Sequence, residues 1–153
     1  MKSEVQITPN RLQMTRIFAA PRHLVFSFWT SGEKMQQWST CKEATRCQVT
    51  MDFRVGGSFT HTMELPAGAF TVVGTYEDIV PPERIVYLAD FKFAVTRVTL
   101  QFVDMGGSTK LILSHESTDG APIPEIFTTN ARIGTEQSFE FLDALLAAKT
   151  VSA

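Results

Sequence analysis

The sequence predicts an α+β fold: a curved antiparallel β-sheet wrapped around a long C-terminal α-helix, with two short helices after the first strand. Three observations lead there. Segments of alternating apolar and polar residues recur from Gln48 to Glu116, separated by turn residues. The turns between them are too short for a parallel crossover, so the strands run antiparallel. One stretch of helical periodicity, Glu125 to about Ala148, then closes the chain. A sheet with one apolar face must bury it, and this long helix is the only large partner on offer.

The elements follow in order. Residues 1–10 read as a mobile arm, 11–148 as one domain and 149–153 as a tail. Arg11 to Phe18 alternates as a strand, with Leu12, Met14 and Phe18 on one face. Pro21 ends the strand and suits the first turn of a helix, where its missing N–H costs nothing. Leu24, Val25, Phe28 and Trp29 keep helical spacing up to Gly32. Thr30 or Ser31 can cap a second short helix, Glu33 to Trp38. Gln48–Phe53, Ser58–Glu64, Phe70–Ile79, Ile85–Phe91, Thr96–Val103 and Thr109–Glu116 read as strands. Gly56-Gly57, Pro66-Ala67-Gly68, Pro81-Pro82-Glu83 and Asp104-Met105-Gly106-Gly107 are the turns between them. The final helix carries a stripe through Phe127, Ala131, Gly134, Ser138, Leu142 and Leu145, at steps of three and four.

Composition bounds the function. The chain has 153 residues, 44% hydrophobic and 20% charged, enough for one domain with a real core. A formal net charge of −2 gives no basic face for nucleic acid or anionic lipid. No segment approaches the roughly 20 apolar residues that span a bilayer. The start, Met1 to Ile7, has no apolar signal core, so the cytoplasm is the expected compartment. Cys41 and Cys47 are too few for a disulfide scaffold and are expected as reduced thiols. The 12 phenylalanines suit a well-filled core or a pocket with aromatic walls.

Several ordered motifs then become informative together. They are Arg16-Ile17-Phe18-Ala19-Ala20-Pro21, Val25-Phe26, Gln37-Trp38 and Asp52-Phe53-Arg54-Val55-Gly56-Gly57-Ser58-Phe59. Gly74-Thr75-Tyr76-Glu77-Asp78-Ile79-Val80-Pro81-Pro82-Glu83-Arg84-Ile85-Val86-Tyr87 follows, then Gly107 to His115 and Gly134-Thr135-Glu136-Gln137-Ser138-Phe139. In this order they resemble the domain named after the activator of heat-shock protein 90 ATPase, a branch of the START-like (SRPBCC) superfamily. The resemblance runs from residue 11 to 146. It implies the helix-grip fold, also called birch-pollen-allergen-like, with a cavity between the sheet and the C-terminal helix. Ser39 stands where the family often has a second aromatic residue, and Thr135 where it often has Trp. Both changes are expected to alter the cavity mouth or its packing.

The candidate ligand-binding residues follow from the strand faces and the helix stripe. From the middle strands they are Phe59, His61, Met63, Phe70, Val72 and Tyr87. The last two strands give Val98, Leu100, Leu113 and His115. The helix gives Phe127, Ala131, Gly134 and Ser138, and Phe28 and Trp38 are expected near the mouth. His61 shares a face with Phe59 and Met63, and His115 with Leu111 and Leu113, so both imidazoles are expected to point inward. They are core histidines satisfied by a neighbour, polar anchors for a ligand, or acid–base groups. Arg16 can lie inside only if paired with a carboxylate. Gly134 either lets the sheet pass close by or leaves space for a ligand.

Three functions remain open. The first is binding of a small, largely apolar or aromatic molecule in an interior cavity. The second is a cyclase, hydrolase or isomerase using that cavity. The third is a co-chaperone-like domain acting on heat-shock protein 90 ATPase. No catalytic residue is assigned. With no converging ligand spacing and no nucleophile elbow, no metal and no cofactor are expected. Neither nucleic acid nor membrane insertion is expected, and an edge strand leaves room for a homodimer.

Overall fold

The computed structural model describes residues 3–151. In chain order the elements are β1 (Glu4–Thr8), β2 (Arg11–Phe18), α1 (Arg22–Ser27), α2 (Gly32–Met35) and β3 (Arg46–Met51). Then come β4 (Ser58–Leu65), β5 (Gly68–Val80), β6 (Arg84–Asp90), β7 (Val95–Asp104), β8 (Thr109–Ser117) and α3 (Glu125–Val151). The strands form one eight-stranded antiparallel sheet in the order β1-β2-β8-β7-β6-β5-β4-β3. It is the curved sheet with a long C-terminal helix that the sequence predicts.

One element differs from the expectation. Glu4–Thr8, part of the expected mobile arm, pairs with β2 from Glu4↔Thr15 to Thr8↔Arg11. Val5 and Ile7 alternate with polar residues, but Ile7 is 50% exposed and Val5 half-buried, so the pairing rests on backbone hydrogen bonds more than on burial. Helix α3 runs on to Val151, into the expected tail. The remainder of that tail, and Met1 and Lys2 of the arm, lie outside the described residues.

The inner face of the sheet follows the period of two. Leu12, Met14 and Phe18 of β2, Val98, Leu100 and Phe102 of β7, and Leu111 and Leu113 of β8 are buried on it. Phe26 and Trp29 meet Phe102 edge-on at centroid distances of 5.1 Å each, which docks the α1 region onto β7. Ser31 caps α2 by accepting from the Lys34 N–H at 3.2 Å. On the outer face Arg97 pairs with Glu77 at 2.7 Å.

Helix α3 is held at its two ends. Near its start Phe127 sits against Phe91, Phe93 and His115 at 4.7, 5.8 and 5.4 Å. Farther on, Phe139 meets Phe18 edge-on at 5.3 Å, and Leu142 and Leu146 are buried. Between these ends, residues 129–138 are exposed or half-buried. A Cβ built on Gly134 would meet nothing within 4 Å. Gly134 is therefore not small because the sheet passes close by. Gly134→Ala should raise stability by about 1 kcal/mol, since a helical glycine costs that much and nothing opposes the methyl. A thermal melt that fell instead would mean the helix centre packs more tightly than this geometry.

Arg16 is the one cation on the buried face of β2, and it is 2% exposed. Its guanidinium pairs with both Glu136 and Asp143 of α3. It also lies 5.8 Å from the ring centres of Phe18 and Phe139. Glu136 in turn accepts from the Ser3 N–H at 3.1 Å. One cluster thus ties β1, β2 and α3 together.

Candidate functional site

A cavity of about 80 Å³ lies between the middle strands and the two short helices. Its walls are Phe59 and His61 of β4, Val72 and Tyr76 of β5, and Ile85, Tyr87 and Ala89 of β6, with Phe91 just beyond. Trp29, Met35, Ser39 and Val49 complete it. The wall is aromatic by construction: Phe59 meets Tyr87 edge-on at 5.0 Å and lies tilted to Tyr76 at 5.5 Å. Gly74 makes this possible. A Cβ there would stand 2.1 Å from the Phe59 ring and 2.7 Å from the Leu88 carbonyl oxygen, so only glycine lets the ring lie on the strand.

Of the residues singled out from sequence, Phe59, His61, Val72 and Tyr87 line this cavity. Val98, Leu100 and Leu113 are buried in the packed core instead. Phe28 and Trp38 are core residues too; the Trp38 indole donates to the Phe28 carbonyl at 3.0 Å and its ring centre lies 4.5 Å from Trp29. Met63 and Phe70 are half-buried partners across the β4–β5 register. Phe127 belongs to the aromatic contact at the start of α3. Ala131, Gly134 and Ser138 are half-buried and do not line the cavity. Ser138 donates to the Thr40 carbonyl at 2.7 Å, which fastens α3 to the loop after α2.

Sequence reasoning missed Tyr76, Ile85, Ala89 and Phe91 as wall residues, although each shares strand parity with Val72 or Tyr87, and that signal was available. Ser39 was signalled by its departure from the family pattern, whereas Trp29 and Met35 reach the cavity only through docking of the two short helices onto the sheet, and Val49 through the pairing of β3 with β4 opposite His61.

His61 points inward, with Nε2 at 2.7 Å from the Ser39 carbonyl oxygen. A carbonyl only accepts, so Nε2 carries the hydrogen and Nδ1 the lone pair. Burial lowers the His61 pKa, so the ring is neutral. The Cys47 thiol lies 3.3 Å from the same Nε2 and 3.4 Å from the same carbonyl. Burial raises the Cys47 pKa, so this is a neutral thiol beside a neutral imidazole, not a thiolate–imidazolium pair.

His115 is also buried, at 6% exposure. Its Nδ1 lies 2.9 Å from the Thr96 hydroxyl, and the rings of Phe91 and Phe127 flank it. Burial lowers its pKa to about 4. β8 and β4 are separated by three strands in the sheet order. At the usual spacing that is about 19 Å along the sheet, too far for the two histidines to share one proton-transfer step. Among the described residues no group of three or more His, Cys, Asp or Glu could hold a metal ion. No described helix is long and apolar enough to cross a membrane.

A second, more open depression of about 560 Å³ lies between the end of β1 and the start of α3, with Ile7, Pro9, Glu125 and Arg132 among its walls. Its buried polar residue, Thr128, already donates its hydroxyl to the Glu125 carbonyl at 3.0 Å.

The sequence model of the family described as "Activator of Hsp90 ATPase homolog 1-like protein" matches residues 19–147. Among solved structures, the chain is similar to a protein of Arthrobacter aurescens at 16% identity and a TM-score of 0.81, covering 95% of this chain and 91% of that one. It is similar to a Chromobacterium violaceum protein at 25% identity and a TM-score of 0.75, covering 90% and 98%. A Rhizobium leguminosarum protein gives 25% identity and a TM-score of 0.76, covering 95% and 97%. No curated protein matches.

Proposed function

The chain belongs to the family of activator of Hsp90 ATPase homolog 1-like proteins, and from that premise we propose that it binds a small, largely apolar or aromatic molecule in its interior cavity. The observation that carries this is the cavity wall. It combines five aromatic rings with aliphatic groups and contains no Asp, Glu, Lys or Arg. Walls of that kind, with a few polar groups, are typical of small-molecule sites. Catalysis is less well supported, because the neutral His61–Cys47 pair lacks the charge separation of an activated nucleophile.

Size constrains the ligand. At about 80 Å³ the cavity is smaller than the roughly 150 Å³ that takes benzene in an apolar core. A single-ring ligand therefore needs a wall to yield. Half-buried Met35, on the four-residue helix α2, is the most adaptable part of it.

Toluene titration read by tryptophan fluorescence tests the proposal, because Trp29 is part of the wall. A saturable change is expected, together with a rise in melting temperature. A linear, unsaturable response with an unmoved melt would overturn the proposal. Native mass spectrometry of protein purified from its own host should then show a retained ligand mass.

A further inference from the structure

The polar side chains of the cavity wall are Trp29, Ser39, His61, Tyr76 and Tyr87, and they are not equally occupied. The Ser39 carbonyl already accepts from His61 and Cys47. The Tyr76 hydroxyl donates to Met51 Sδ at 3.6 Å. The Tyr87 hydroxyl, which burial keeps protonated, has no hydrogen-bond partner among the described residues; the Ser39 hydroxyl and the Trp29 indole N–H have none either, but Tyr87 is the one of the three set within the Phe59–Tyr76 cluster of rings. Its ring is fixed edge-on against Phe59 at 5.0 Å and lies 6.0 Å from Tyr76, so the hydroxyl cannot swing freely to find a partner elsewhere. A hydroxyl that faces an apolar cavity without a partner is costly, and native proteins satisfy such groups with protein, water or ligand.

We infer that the ligand is an uncharged aromatic molecule bearing one hydroxyl, of the phenol class, anchored by the Tyr87 hydroxyl; this rests on the binding function proposed above. The absence of any ionised wall residue excludes charged ligands, because a cation or carboxylate would lie in the cavity without a countercharge. His61 is not the partner of the same ligand group. It pairs across the sheet with Val72, whereas Tyr87 pairs with Tyr76. Four residues of β5 separate the two registers, about 13 Å of strand. The ligand hydroxyl is thus assigned to Tyr87 rather than to His61, and the ring fills the space among Phe59, Tyr76 and Val72.

The test compares phenol with toluene, and adds benzoate and tetramethylammonium as charged probes, on wild type and Tyr87→Phe. In Tyr87→Phe the preference for phenol over toluene should fall about 5- to 10-fold, the usual scale of one neutral hydrogen bond. Toluene should bind that variant no worse than wild type, which also reports that its cavity is intact. An unchanged preference in Tyr87→Phe overturns the anchor, and benzoate or tetramethylammonium binding as tightly as phenol overturns the ligand class. If wild type binds neither toluene nor phenol, it is the binding function itself that falls.

Discussion

Removing the charge of both carboxylates that face Arg16, in the double variant Glu136→Gln/Asp143→Asn, should destabilise the fold by about 3–5 kcal/mol. The side chain of Arg16 is 1% exposed, so its charge has no access to water once its partners are neutral. The two acids are different. Their side chains are 23% and 38% exposed, so they can recover hydration if the arginine is taken away. Arg16→Met should therefore cost less than the double carboxylate variant, although it removes the same ion pairs. Adding Arg16→Met to the double variant should restore most of the loss, because no charge is then left buried. Denaturant unfolding of the three variants measures each term. Equal losses in Arg16→Met and in the double variant would show that the Arg16 site is wetter than its burial indicates. The cluster also fixes where α3 lies, since Glu136 and Asp143 are on the helix and Arg16 on the sheet.

The second large effect is acid sensitivity from His115. Its folded pKa is depressed from 6.5 to about 4, with burial the cause. Between those two values the unfolded chain binds a proton that the folded one refuses, so stability rises with pH across that window. The histidine costs nothing above pH 6.5, and its destabilising effect is fully developed below about pH 4. The total corresponds to about 3 kcal/mol, of which about 2–3 kcal/mol is lost by pH 4.5. No carboxylate is positioned to offset it: the imidazole faces Thr96, Phe91 and Phe127, with Leu12 and Val98 opposite it on the neighbouring strands. Carboxylates elsewhere also titrate in this range, so the comparison is between variants. Wild type should lose about 2–3 kcal/mol more than His115→Gln between pH 7.5 and 4.5 in denaturant unfolding. Parallel losses in the two proteins would mean that His115 takes up its proton in the folded state at an ordinary pH.

Much of this was legible in the chain. The alternation of Ser58–Glu64 and Thr109–Glu116 set which residues face inward, and His61 and His115 obey it. The spacing of Glu125–Ala148 made a helix, and Ser31 before Gly32 capped another. The condition that Arg16 could be buried only beside a carboxylate also followed from its place between Met14 and Phe18. These are local matters: strand parity, helical period and the cost of burying a charge act within a few residues, and so are written in sequence.

The rest depended on contacts that have no local signature. β1 is held by backbone pairing to β2, with little apolar burial to announce it. Gly134 proved to face open space, a fact about where the sheet stops and not about the helix. Gly74 matters because the Phe59 ring and the Leu88 carbonyl of the two neighbouring strands stand where its Cβ would be. The cavity sits against α1 and α2 rather than against the small-residue stripe of α3, because the helix is fastened at Phe127 and again from Phe139 to Leu146. By itself the sequence determined the elements and the faces they bury. Which of those faces meet, and where they leave a space unfilled, was decided by long-range packing, in which each side chain's neighbours come from elements far away in the chain.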